Sequence, residues 1–311
     1  MQTNKIMNKF YLFLLIPIVL ISCSKKEITN ILIQSPNQRI KISFDLVDCK
    51  PVYQVKFDRK QVIDTSRLGF EFQNQPSFSG NFKITEVTLN SVDDSWEQVW
   101  GEQLLIRNNY NEAIIQLEEK DSLKRKLNIT FKVFDDGIGF SYEIPKQEAI
   151  DSLFITNELT EFQLAHDYST WFIPANFGSY EMLYQNKPAN QVEWTNTPAT
   201  FESLDQKVFL SIHEANLSNY AGMTLKKKAG STLTFQSELV PWPDGVKVKA
   251  QAAMKTPWRT IQISDSAAGL MESSLMLNLN DPNKLEDVSW IQPTKYIGIW
   301  WGMHLGTHTW T

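Results

Sequence analysis

The segment Trp171–Phe172–Ile173–Pro174–Ala175–Asn176–Phe177–Gly178–Ser179–Tyr180–Glu181 sets aromatic side chains around one amide and one carboxylate. Aromatic faces joined by a few polar groups are how proteins hold sugars. The oxygens of Asn176 and Glu181 are also of the kind a hard cation such as calcium accepts. Pro174 and Gly178 place these residues on a loop rather than inside a strand.

Other chemical candidates have plainer readings. Asp135 and Asp136 could ligate a metal, but Asp before Gly137 is what a tight turn requires. Gly137–Ile138–Gly139 lacks the rest of a dinucleotide fingerprint. His213–Glu214 begins like a zinc-protease motif, yet Leu217 stands where a second His is needed. His166 and His213, with a Glu partner, could serve a sugar epimerase built on a large β-sandwich, although His numbers only four in the chain. No phosphate loop or zinc spacing appears.

The elements that must position these groups read as strands. Ile40–Phe44, Val52–Phe57, Asn81–Leu89 and Leu127–Phe134 alternate apolar and polar residues. Leu127–Phe134, the Asp135–Asp136–Gly137 turn and Phe140–Ile144 form a hairpin pattern. Phe209–Ile212, Ser231–Phe235, Val246–Ala250 and Thr260–Ile263 are further strand candidates, and Asp265–Leu275 is the best helical one. Many short strands with recurrent turns and no internal repeat predict one all-β antiparallel sandwich over residues 30–290. Tyr296–Ile297–Gly298–Ile299–Trp300–Trp301 differs: a continuous apolar run suits a strand buried on both faces, as in a parallel barrel.

Composition and the N-terminus bound the setting. The chain has 311 residues, a net charge of -5 and 12% aromatic residues. That excludes a disordered tail and argues against a nucleic-acid partner, which would want a basic stripe. Lys5 and Lys9 precede the apolar run Phe10–Ile21, too short to span a bilayer and typical of a secretory signal. Met7 could serve as the start. Leu20–Ile21–Ser22–Cys23 looks like a bacterial lipobox, which makes residues 1–22 a signal peptide, Cys23 the lipidated residue and 23–29 a tether. The expected place is the cell envelope, anchored to a membrane by acyl chains, with Ser24 favouring the outer membrane. The other cysteine, Cys49, then lacks a disulfide partner and is expected to be a small buried hydrophobe.

Several blocks together resemble glycoside hydrolase family 97, the calcium-dependent α-glucosidases and α-galactosidases. They are Trp96–Glu102, Ile106–Glu112, Phe134–Phe140, Thr256–Thr260 with Ile263–Asp265, Leu277–Asn280 and Trp290–Trp301, in the family's order. The resemblance implies an N-terminal β-supersandwich of the galactose-mutarotase kind, followed by a (β/α)8 barrel, of which residues 291–311 would be the start and Tyr296–Trp301 the first strand. It implies Ca2+ as cofactor, bound in part by Glu181, with Asn176 as a neighbour. It implies an α-linked oligosaccharide or galactoside as substrate, with Trp300, Trp301 and His304 lining a sugar subsite. The catalytic carboxylates would lie on later barrel strands, so none is expected here. The alternative is a non-catalytic, lipid-anchored carbohydrate-binding sandwich.

Overall fold

The computed structural model describes residues 29–306 apart from positions 74, 100, 297 and 299 and the side chains of 300 and 301. The signal segment and Cys23 lie outside the described residues. The strands are, in chain order, β1 (Ile31–Gln34), β2 (Ile40–Val47), β3 (Lys50–Phe57), β4 (Lys60–Arg67), β5 (Phe70–Phe72), β6 (Phe82–Glu97), β7 (Leu105–Glu119), β8 (Lys126–Phe134), β9 (Gly137–Ile144), β10 (Ser152–Glu158) and β11 (Glu161–Leu164). They continue with β12 (Ser169–Phe172), β13 (Gln185–Pro188), β14 (Trp194–Asn196), β15 (Ala199–Ser203), β16 (Val208–Ala215), β17 (Met223–Lys227), β18 (Thr234–Leu239), β19 (Val248–Gln251), β20 (Met254–Lys255) and β21 (Trp258–Ser264). Short α-helices follow at α1 (Ala267–Met271), α2 (Leu275–Leu279) and α3 (Trp300–His304). Among the described residues no helix is long and apolar enough to cross a membrane.

Two large antiparallel sheets carry the molecule, as the alternating patterns predict. One has eight strands in the order β1-β2-β3-β4-β11-β18-β17-β14; the other has ten, running β13-β12-β15-β16-β21-β9-β8-β7-β6 with β20 beside β9. A three-stranded sheet, β19-β10-β5, completes the set. The large sheets face each other through aromatic contacts. Phe44 meets Phe131 at 5.9 Å between ring centroids, and Tyr53 meets Phe140 at 5.0 Å. Each ring withdrawn from water in this way contributes about 1.5–3 kcal/mol. Period-2 alternation thus turns one face of each strand into a shared core.

The Asp135–Asp136 hairpin forms as expected, with Phe134 paired to Gly137. Strand β9 is buried on both faces, because α2 covers its outer side. A Cβ on Gly139 would stand 2.5 Å from Leu279 Cδ1, and one on Gly137 2.8 Å from Leu275 Cδ2. The two glycines are therefore there to let the helix approach. Asp136 Oδ2 accepts from Ser273 Oγ at 2.7 Å and from the backbone N–H groups of Ser274 and Leu275 at 2.9 and 3.1 Å. The single helix expected over Asp265–Leu275 is thereby split: Ser266 Oγ caps α1, and Asp136 restarts the chain at α2.

Other expectations need correction. Cys49 is not a buried hydrophobe. With Asp48 it forms the two-residue turn between β2 and β3, at φ of 60° and 51°, and its half-exposed Sγ accepts from Lys120 Nζ at 3.1 Å. Paired positive φ values are the hairpin geometry that matches strand twist. The strand expected from Ser231 starts at Thr234 instead, because Ser231 is held in a turn by its N–H to Lys228 O. The strand expected from Val246 starts at Val248, since Val246 closes a turn onto Trp242. The barrel strand expected over Tyr296–Trp301 falls partly outside the described residues, at positions 297 and 299 and the side chains of 300 and 301. Trp300–His304 is one turn of helix, and Tyr296 is fully exposed.

Candidate functional site

Strand β12 points Thr170 and Phe172 inward and Trp171 outward, so the loop that follows starts at the surface. Its first half is tied down. Pro174 bridges to Thr195, Ala175 N–H donates to Trp194 O at 3.2 Å, and Asn196 N–H donates to Ile173 O at 3.0 Å. The Phe177 ring stands edge-on to Trp194 at 5.0 Å. Trp171 is fixed by its indole N–H, which donates to Glu202 Oε1 at 2.9 Å.

The second half is open. Tyr180, Met182, Leu183 and Tyr184 are 64, 48, 88 and 62% exposed. Monomeric proteins rarely leave contiguous apolar residues uncovered without an interaction to serve. Glu181 lies in the middle of this run and is exposed. Its N–H donates to Ser179 Oγ at 3.0 Å, which sets the backbone, while no described residue bonds its carboxylate.

The structure therefore brings Asn176 and Glu181 onto one loop, but with different duties. Asn176 Oδ1 accepts from Gly178 N–H at 2.8 Å, and Asn176 O accepts from Ser179 N–H at 3.3 Å. The amide oxygen shapes the loop. Among the described residues no group of three or more His, Cys, Asp and Glu side chains could hold a metal ion. Calcium takes six to eight oxygens. The described residues thus fit one carboxylate ligand from Glu181, not a complete calcium site. His304 is exposed on α3, while the side chains of Trp300 and Trp301 lie outside the described residues.

The histidines do not assemble an epimerase centre. His166 is exposed and lies edge-on to Tyr168, whereas His213 is half-buried on β16 with Nδ1 at 3.0 Å from Thr197 Oγ1. Burial pushes the His213 imidazole down from its ordinary pKa, against the pull of Glu214. Glu214, its neighbour, is committed elsewhere: Oε1 accepts from Met223 N–H and Oε2 pairs with Arg259.

Arg259 is a polar centre that the sequence motifs did not single out for a role. Its buried guanidinium binds both oxygens of buried Glu158, at 2.7 and 2.6 Å, and Glu214 at 2.6 Å. Tyr220 and Thr160 hydroxyls donate to Glu158 as well, at 2.9 and 2.8 Å. Burial pushes the Glu158 carboxyl up, but the charge and hydrogen bonds of Arg259 outweigh this and hold it below its ordinary value. The signal available was a charged residue inside the apolar strand pattern Trp258–Ile263.

An all-β supersandwich with a carboxylate-bearing aromatic loop at one edge defines the class. The chain belongs to the family described as Glycosyl-hydrolase 97 N-terminal, whose model matches residues 33–282. A glycoside hydrolase family 97 enzyme from Pseudoalteromonas sp. strain K8 is 45% identical, with a TM-score of 0.84 over 90% of this chain and 42% of that one. The same enzyme has been solved with panose and with acarbose. A retaining alpha-galactosidase of Bacteroides thetaiotaomicron is 20% identical over 91% of this chain and 46% of that protein. A beta-arabinopyranosidase, 22% identical with a TM-score of 0.68, shares the fold. The chain thus spans less than half the length of these relatives.

Proposed function

We propose that this chain is the N-terminal, active-site-completing part of a calcium-dependent, exo-acting α-glycoside hydrolase, an α-glucosidase or α-galactosidase. The observation that carries the reading is the 45% identity and 0.84 TM-score over 90% of the chain to an enzyme more than twice as long. The panose and acarbose complexes of that enzyme support an α-linked oligosaccharide as substrate. The open half of the Trp171–Tyr184 loop would lie over the mouth of a following barrel. There Glu181 supplies one carboxylate toward calcium, and the exposed aromatic rings offer stacking faces.

Calcium, when bound, supplies Lewis-acid polarisation and positioning. This chain's own part is to hold the loop: the Pro174–Thr195 bridge and the Phe177–Trp194 contact aim it, and Ser179 sets the Glu181 backbone. The two carboxyl groups that must flank the glycosidic bond would come from later barrel strands of a longer protein, and Trp300, Trp301 and His304 would sit at the barrel mouth. Cys23 would anchor the protein to a membrane of the cell envelope.

The test is the longer gene product, assayed on aryl α-glucosides and α-galactosides with and without a chelator. Hydrolysis that fails on chelation, with calcium affinity lowered by Glu181→Gln, is the expected result. Absence of hydrolysis on both substrates would overturn the catalytic reading, and unchanged calcium affinity would remove Glu181 from the site.

A further inference from the structure

A cavity of about 680 Å3 opens beyond the paired ends of β17 and β18, where Val240 N–H donates to Gly222 O at 3.1 Å. None of the loop residues Trp171–Tyr184 lines it. Trp242 lines it and is 58% exposed. That indole is held by a turn: Gly245 N–H donates to Trp242 O at 2.9 Å, and Trp242 N–H donates to Val246 O at 2.8 Å. Asp244 Oδ1 accepts from Val246 N–H at 3.1 Å, and Gly245 takes φ of 83°, a value that suits glycine. A side chain presented from such a closed turn gives up little conformational freedom when a ligand covers it.

Tyr220 also lines the cavity. Its hydroxyl is committed to Glu158 Oε2, and the Arg259 guanidinium stands 5.5 Å from its ring centroid. Tyr220 therefore offers its ring rather than its hydroxyl. The cavity's two lysines are also committed: Lys247 pairs with Glu238 and Lys249 with Asp244, each at 2.5 Å. Lys249 Nζ stands 5.7 Å from the Trp242 ring centroid. Positive charge is thus cancelled at its source, which argues against selection of an anion. What remains is a concave space lined by two aromatic residues, by Val240 and Val248, and by hydrogen-bonding groups on Asn219 and the paired lysines. Ligand pockets fall in the range of about 300–1,000 Å3, so this one has room for a short oligosaccharide.

We propose that this cavity is a carbohydrate-binding site that takes a neutral oligosaccharide, with Trp242 as the stacking platform for an apolar sugar face. Aromatic rings meet the C–H face of a pyranose, and hydroxyls at the ring edge exchange hydrogen bonds with the rim. The choice of α-linked sugars as probes rests on the proposed function; the chemistry of the cavity argues only for a neutral sugar.

The test is titration of the 311-residue chain with maltotriose and with melibiose, followed by calorimetry and tryptophan fluorescence. Saturable binding is expected for at least one sugar. Trp242→Ala should weaken it by at least ~10-fold, as expected when a stacking face is lost. Asn219→Ala should weaken it less, and Trp290→Ala, an exposed tryptophan outside the cavity, should leave it unchanged. Trp242 and Asn219 lie at the surface, and unaltered melting curves confirm that each variant folds. No saturable binding of either sugar at tens of millimolar would overturn the proposal, as would binding untouched by both cavity variants or displaced by phosphate. A longer protein that hydrolyses glycosides while Trp242 proves irrelevant would sink this inference alone. Binding through Trp242 in a protein without hydrolytic activity would sink only the catalytic reading.

Discussion

Glu158 and Glu181 are the same residue type in opposite settings. Glu158 ends β10 in the interior, and every described partner of its carboxylate donates: Arg259 twice, Thr160, Tyr220 and Ser237. Glu181 stands on an exposed loop among exposed apolar side chains, and no described residue bonds its carboxylate. A buried carboxylate survives only if its hydrogen-bond and charge needs are met on the spot. An exposed one next to uncovered aromatic rings has water as its partner until something better arrives. The first arrangement serves the fold; the second leaves chemistry available for a ligand.

Breaking the interior pole should have the largest effect. Arg259→Met leaves Glu158 and Glu214 buried without their cation, and a loss of about 3–5 kcal/mol is expected in denaturant unfolding. A loss below ~1 kcal/mol would mean that the network is not holding the sheets together. The same network sets an acid dependence. Because the folded Glu158 carboxyl is held below its ordinary value of 4.5, its contribution is fully present above that pH and fades as pH falls through the folded value. Melting temperature measured across this window should fall more steeply in the wild type than in Glu158→Gln, and parallel curves would contradict the assignment.

Gly139→Val should cost less, about 1–3 kcal/mol, since a Cβ there meets the Leu279 side chain at 2.5 Å and forces it to shift. Unchanged stability would show that Leu279 shifts freely.

The smallest stability effects belong to the loop. Glu181→Gln and Leu183→Ser should each change folding stability by no more than about 0.5 kcal/mol, while Glu181→Gln lowers calcium affinity in the longer protein. A large destabilisation by either would erase the contrast, because it would mean that the open half of the loop is part of the fold.

Much of this was legible along the chain. The alternation in Leu127–Phe134 and the Asp135–Asp136–Gly137 turn located a hairpin whose register the structure reproduces. The order of motif blocks from Trp96 to Leu277 pointed to the family that the comparison confirms. Local signals succeeded because strand alternation and tight turns depend on near neighbours. Cys49 misled for the opposite reason. An apolar residue in an alternating stretch can still be a turn residue.

The sequence by itself determined the all-β class, the hairpin turns, the aromatic supply and the loop around Pro174 and Gly178, since these follow from residue type and short-range spacing. Only the tertiary structure decided which polar groups were already spent. Glu158, Glu214 and Arg259 are far apart in the chain, and their mutual satisfaction depends on which strands become neighbours. Asn176 is taken by its own loop and Glu181 is not, while Trp242 and Tyr220 line one cavity, because packing between distant segments sets which side chains share an environment.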